Sequence, residues 1–410
     1  MAGMPMRLCA LGGTLRRLSG RAMAAALLAT CCASATAATC SWPDWDAFRR
    51  DTISTDGRVV DNSTPQQVTV SEGQAYGLFF ALVANDRPTF ERLLTWTENN
   101  LARGDLASHL PAWIWGRQDA AGHPDRWGVI DSNPASDADL WIAYTLLEAG
   151  RLWNERRFTA LGTVLARRIA SEETAMLPGL GRTVLPGPVG FHPQPNVWRL
   201  NPSYVPMQVM RRLAVLLPND AQWAEMVRTS ARMTLDTAPH GFSPDWVEYH
   251  APAAGNAGGK APAATGFRPD QQTSAESAYN AIRVYLWAGT LSPRDPLHGD
   301  LLRTFTPMAD YTVRHGHPPE RVDTRTGAPG PNAGNGGFSA AVAPLLAALG
   351  RQDAAAAQVQ RVRSLAARDP LGYYSQVLAL FGLGYMDGLY RYDADGALMP
   401  AWTTQCPASR

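Results

Sequence analysis

Three carboxylates open two helical stretches of this chain, at positions where an acid can do more than hold a helix. In Ser71-Glu72-Gly73-Gln74-Ala75-Tyr76-Gly77, Glu72 precedes a run of Gly, Ala, Leu and Phe. Apolar surroundings disfavour the charged form of a carboxyl, and one that stays protonated can hand its proton to a departing oxygen. The same placement fits a glutamate that only complements the helix dipole, and spacing alone leaves both readings open. In Ala135-Ser136-Asp137-Ala138-Asp139-Leu140-Trp141, two aspartates sit in a first turn beside an indole, with Ser136 placed as N-cap. Acids gathered at a helix tip suit holding a sugar hydroxyl or a developing positive charge.

The elements that must position these groups read as helices throughout. Apolar spacing and Gly or Pro punctuation predict helices over 71–83, 88–101, 136–153, 158–171, 202–217 and 222–237. Further helices are predicted over 274–287, 296–314, 339–349, 353–366 and 373–386. Alternating β-branched runs are few, so periodicity supports an all-α fold. The helices recur in pairs without close sequence repetition, which favours a closed toroid over a solenoid. Two loops rich in Ala, Gly and Pro, 251–273 and 327–337, are too short to link separate cores.

The 410-residue chain opens with Arg7, Arg16, Arg17 and Arg21, an apolar run from Met23 to Cys32, and small residues through Ala37. This pattern predicts a signal peptide over 1–37, one domain over 38–410, and a periplasmic or secreted protein. The apolar run is too short to span a membrane, and no span is expected after signal removal. Removal leaves Cys40 and Cys406, one at each end, which suggests a disulfide; two free thiols are the alternative. Net charge is +1, with 37 basic residues scattered among 36 acidic ones, so no nucleic-acid stripe exists. His315-Gly316-His317 has no companion acid at ligand spacing. Phosphate loop, dinucleotide fingerprint and serine elbow are all missing, so neither metal nor cofactor is expected. Thirteen Trp among few charged residues suit sugar rings, although most should fill the core.

The stretch from Ala135 to Trp153 resembles the signature of glycoside hydrolase family 8, with Thr145 departing slightly from its pattern. Ser71 to Gly77 resembles the family's Ser-Glu-Gly-Gln-x-Tyr-Gly motif. The resemblance implies an (α/α)6 barrel, Glu72 as general acid, and Asp137 in the cleavage subsite, with Asp139 capping its helix. Ala278-Tyr279-Asn280-Ala281-Ile282-Arg283-Val284 is similar to a third motif, Tyr-Asp-Ala-x-Arg, whose Asp is the general base. Here that position is Asn280, and an amide has no useful basicity near neutral pH. Another carboxylate supplies the base, or turnover is weak or lost, or the Asp was replaced to trap substrate. Glu276, four residues earlier and so on the same helix face, and Asp137 are the leading substitutes. Asp245 and Asp270 follow. Tyr279 and Arg283 are expected to contact sugar. Trp113, Trp115, Trp198, Tyr204, Tyr373 and Tyr374 are candidate stacking platforms, or core.

Cys40-Ser41-Trp42-Pro43, Gly241-Phe242-Ser243-Pro244-Asp245-Trp246 and Gly337-Phe338-Ser339-Ala340-Ala341 resemble the branch encoded with bacterial cellulose synthase. The implied activity is hydrolysis, with inversion, of internal β-1,4 bonds in a cellulose chain. The synthase complex is then an expected partner, and cellulose export the process served. A glucan-binding protein with little or no turnover is the alternative. A lyase on a similar toroid is disfavoured by the lack of a basic cluster for uronates.

Overall fold

The computed structural model describes residues 40–118, 126–252 and 265–404. Twelve α-helices run through these residues. They are α1 (Pro43–Thr52), α2 (Ser71–Val83), α3 (Arg87–Leu101), α4 (Ser136–Leu152), α5 (Arg156–Glu172) and α6 (Met207–Leu216). The second half supplies α7 (Ala221–Asp236), α8 (Ile282–Thr290), α9 (His298–His315), α10 (Gly336–Ala348), α11 (Gln352–Ala366) and α12 (Tyr373–Met386).

The even-numbered helices form the inner ring. Each touches the next, from α2 through α4, α6, α8 and α10 to α12, and α12 returns to α2. The odd-numbered helices lie outside: α3 on α2, α5 on α4, α7 on α6, α9 on α8, α11 on α10 and α1 on α12. This is the (α/α)6 barrel that the family resemblance implies. Sequence explains the division. Most inner helices are apolar nearly all round, as a helix packed on every face must be, although α6 carries Arg211 and Arg212 and leaves Val215 exposed. All residues of α2 but Glu72 are buried, and α4 is buried from Ser136 to Gly150. Outer helices bury one stripe only; α5 buries Phe158, Gly162, Leu165, Ala166, Ile169 and Ala170. Inner neighbours approach closely where glycine permits. A Cβ at Gly382 in α12 would lie 2.0 Å from the Ala340 carbonyl oxygen of α10.

The predicted helices match well, apart from α1, which the sequence reading missed, and two beginnings. Residues 202–204 form a separate 3₁₀ turn before α6. The predicted helix over 274–287 starts only at Ile282. Ser274 and Ala275 have left-handed backbone (φ +56° and +64°), and Glu276–Ser277 is a strand paired with Val322–Asp323. Glu276 and Asn280 therefore do not share a helix face.

Short sheets, more numerous than the sequence suggested, line the helix junctions. One joins Thr69–Val70, Ala112–Arg117 and Trp127–Pro134; another joins Val197–Leu200, Val247–His250 and Gly266–Pro269. Among the described residues no helix is long and apolar enough to cross a membrane. Cys40 is disulfide-bonded, whereas Cys406, the expected partner, lies outside the described residues, as does the predicted signal segment.

Candidate active site

The N-termini of α2 and α4 bring Glu72 and Asp137 to one arginine. Arg283, in the first turn of α8, is buried among inner helices. Its Nη1 donates to Glu72 Oε2, to Asp137 Oδ2 at 3.0 Å and to the Tyr76 hydroxyl at 3.4 Å. Its Nη2 donates to Ser203 Oγ at 2.9 Å and to Asn280 Oδ1 at 2.8 Å. One guanidinium thus links all three motifs picked out in the sequence.

One cation serves two carboxyls, so the pair favours keeping a proton. Burial pushes Glu72 up to about 7; the Arg283 charge pulls down and the Asp137 charge pushes further up. Asp137 is also raised by burial, against Arg283 and the Ala138 N–H, which it accepts at 2.8 Å. Burial, opposed by the Arg283 charge, raises both carboxyls, and the two lie close enough to share one proton. Glu72 keeps 18% of its side chain exposed, enough to meet a ligand. The site therefore presents a proton donor beside a fixed carboxylate.

Asn280 is held from two sides. Its Oδ1 accepts from Arg283 and from Asn201 Nδ2 at 3.2 Å, while Asn201 Oδ1 accepts the Ser203 N–H at 3.0 Å. Beneath it, Asp245 Oδ1 accepts the backbone N–H groups of Ala278 (2.8 Å), Asn280 (3.1 Å) and Ala281 (2.7 Å). Those donors precede α8 and have no acceptor within it. Asp245 thus ties down the turn from a distant loop, and burial raises it above the ordinary carboxylate range despite the three donors.

Two proposed substitutes for the base are already paired. The Glu276 carboxylate meets Arg321 on its strand. Asp270 takes Arg199 at 2.9 and 3.3 Å and the Thr273 N–H at 2.8 Å; these contacts outweigh its burial and leave it lowered. Asp137, the third, touches Glu72. An inverting acid and base stand about 6.5–9.5 Å apart to admit a water, so that contact leaves no room for one.

Ser136 and Asp139 do not cap α4. Ser136 is its first residue, and among the described residues its buried Oγ has no hydrogen-bond partner and Asp139 accepts no N–H. Instead Asp139 faces Glu173 at the end of α5, carboxyl to carboxyl. Both carboxyls are fully buried, and burial raises both well above the ordinary range.

The candidate platforms separate clearly. Tyr279 is 38% exposed, packs edge-on against Phe338 at 5.1 Å, and donates its hydroxyl to Glu320 at 2.8 Å. Tyr374 donates to the Tyr279 carbonyl at 2.6 Å. Tyr204 has the Arg283 guanidinium 5.5 Å from its ring centre, and Tyr373 packs on Gly73 next to Glu72. Tyr204, Tyr373 and Tyr374 lie around the arginine, and Tyr279 joins them through Tyr374. Trp113 is exposed beside Asp131. Trp115 is not free: Trp96 meets it edge-on at 5.3 Å, Trp127 stacks at 5.5 Å, and Arg58 lies 4.5 Å from its ring centre. Trp198 is buried and its face is covered by His192 at 4.7 Å. Asn201 and Ser203 lie in Asn201-Pro202-Ser203-Tyr204, a stretch that also resembles the cellulose-synthase branch, but sequence reasoning assigned them no role, and Glu173 carries no spacing signal.

Comparison with known proteins agrees with this geometry. The family described as "Glycosyl hydrolases family 8" matches residues 18–388. The endoglucanase of Salmonella typhi is 46% identical over 373 residues, covering 91% of this chain and 94% of that protein. The endoglucanase of Escherichia coli K12 is 44% identical over the same span and coverage. The crystal structure of an endo-1,4-D-glucanase from Vibrio fischeri ES114 superposes with a TM-score of 0.81 at 44% identity, covering 89% of this chain and 100% of that one. An (α/α)6 barrel whose three motifs converge on one arginine, with this likeness over nearly its whole length, belongs to glycoside hydrolase family 8.

Proposed function

We propose that this chain is an endo-β-1,4-glucanase that cleaves internal bonds of a cellulose-like chain with inversion, outside the cytoplasm and in the service of cellulose synthesis and export. The reading is carried by Glu72, a carboxyl held protonated near neutral pH beside Asp137 and within a ring of tyrosines. Protonating the glycosidic oxygen is the step an alkoxide leaving group needs. Asp137, fixed by Arg283 and the Ala138 N–H, is placed to hydrogen-bond the sugar whose bond breaks. Relatives named endoglucanase support a β-glucan substrate. The signal-like start supports export, and the cellulose synthase complex is the proposed partner.

Asn280 favours a second reading, a glucan-binding protein with weak or no turnover, because the family's base position carries an amide whose oxygen is already engaged. Release of reducing ends from carboxymethyl-cellulose, with a fall in viscosity ahead of sugar release, decides between them. Hydrolysis with early loss of viscosity is expected. Binding of cello-oligosaccharides without any new reducing ends establishes the second reading instead.

A further inference from the structure

Asn280 leaves the site an acid without an evident base, and most nearby carboxylates are excluded by their contacts. Asp137 touches Glu72, Glu276 is held by Arg321, Asp270 by Arg199, and Asp139 and Glu173 are sealed against each other. Glu248 accepts from His250 at 2.8 Å on its strand, and the Glu320 carboxylate takes the Tyr279 hydroxyl. Asp245 remains. It lies under the turn that carries Asn280 and accepts that residue's own N–H. All three of its hydrogen bonds end on Oδ1, so Oδ2 has no partner among the described residues, and the residue is 8% exposed.

Resting on the hydrolase reading, we propose that Asp245 is the general base, taking the proton of a water that Asn280 orients. Asn280 presents its amide oxygen to Arg283 and Asn201, which leaves its NH₂ group without an acceptor among the described residues and able to hold a water oxygen. The water oxygen bonds to the anomeric carbon from the face opposite the leaving group while Asp245 Oδ2 takes one of its protons. The carbon–oxygen bond to the departing chain breaks with its electron pair, and that oxygen receives the Glu72 proton. Asp245 ends protonated and Glu72 ionised, and a proton returns between them through solvent. Partial burial suits the role, because it makes Asp245 more basic than an exposed aspartate.

The proposal separates base from scaffold in one experiment. In Asp245→Asn the amide oxygen can still accept the three N–H groups, so the turn keeps its anchor. Its kcat on cellopentaose is expected to fall about 10²–10⁴-fold with oligosaccharide binding changed less than about threefold. Adding Asn280→Asp restores a carboxylate at the family's position, and the double variant is expected to recover at least about tenfold of the loss. An Asp245→Asn protein that keeps a third or more of the wild-type kcat overturns the assignment. So does a loss that Asn280→Asp leaves unrepaired, or one that abolishes binding, since either shows that Asp245 only holds the turn. Failure of the hydrolase reading looks different: the wild-type protein itself then releases no reducing ends, and both proposals fall together.

Discussion

Glu148 and Glu72 are both glutamates on inner-ring helices that meet arginine, yet their surroundings differ in one respect, the ratio of cations to carboxylates. Glu148 is fully buried in α4 and both its oxygens are engaged: Oε1 by Arg212 Nε at 2.7 Å, Oε2 by Arg151 Nε at 3.0 Å and the Leu398 N–H at 2.9 Å. Arg212 also reaches Asp395 at 2.6 Å, so two arginines balance two carboxylates. At the candidate active site Arg283 is the one cation among the described residues that faces Glu72 and Asp137, and one proton completes the balance. Between Asp139 and Glu173 no cation enters among the described residues; the charged groups that bear on the pair are Asp137 and Glu172, both acidic. Equal numbers make a strut, and a shortage of cations makes a proton donor. The same residue types thus serve structure or chemistry according to how completely they are paired.

The largest effect should come from removing the proton that the unbalanced site retains. Glu72→Gln is expected to lower kcat on carboxymethyl-cellulose about 10²–10⁴-fold while cello-oligosaccharide binding, measured by calorimetry, stays near wild type. A variant with half the wild-type rate would break the contrast between the two glutamates. Next comes the balanced network. Arg212→Ala leaves Glu148 with Arg151 as its one arginine and should cost about 1–3 kcal/mol in urea unfolding, with kcat of the folded fraction unchanged. Unaltered stability would show that Glu148 does not depend on Arg212.

The smallest effect at neutral pH concerns the pair without a cation. Because burial raises Asp139 and Glu173 in the folded state, the fold holds a proton there that the unfolded chain releases. Stability is therefore full at acid pH and declines as pH climbs beyond the ordinary carboxylate range, by up to about 1.4 kcal/mol per pH unit for each extra proton. Glu173→Gln keeps a donor to Asp139 without a proton to lose, and should flatten that decline in thermal melts between about pH 6 and pH 9. Parallel wild-type and variant curves would remove the pair from the comparison.

Much of this organisation is legible in the sequence where it is local. The bounds of α2 and α12 follow from apolar runs between polar breaks, and α1 carries Pro43 and two first-turn acids that would have disclosed it. Glu72, Asp137 and Arg283 were legible because each lies within a short motif. What escaped depends on partners distant in the chain. The stretch before α8 has helical composition, but left-handed Ser274 and Ala275 and the pull of Asp245, more than thirty residues away, draw it into a strand and turn. Tertiary contacts outweigh local preference there. Trp198 is an attractive platform until His192 is seen lying on its face, and Asp139 suits a cap until Glu173 is seen opposite.

The retained proton on Glu72 has a direct kinetic signature. With Glu72 as the proposed acid, activity is expected to fall as pH rises past the point where Glu72 ionises, because the leaving oxygen then lacks its donor. The dependence of kcat/KM on pH reports ionisations of the free enzyme. With a soluble cello-oligosaccharide, the alkaline limb is expected to show an apparent pKa of about 7, and Glu72→Gln should lose that limb along with its activity. A wild-type profile that stays level from about pH 6 to pH 9 would contradict the account, since no proton held near neutrality could then be taking part.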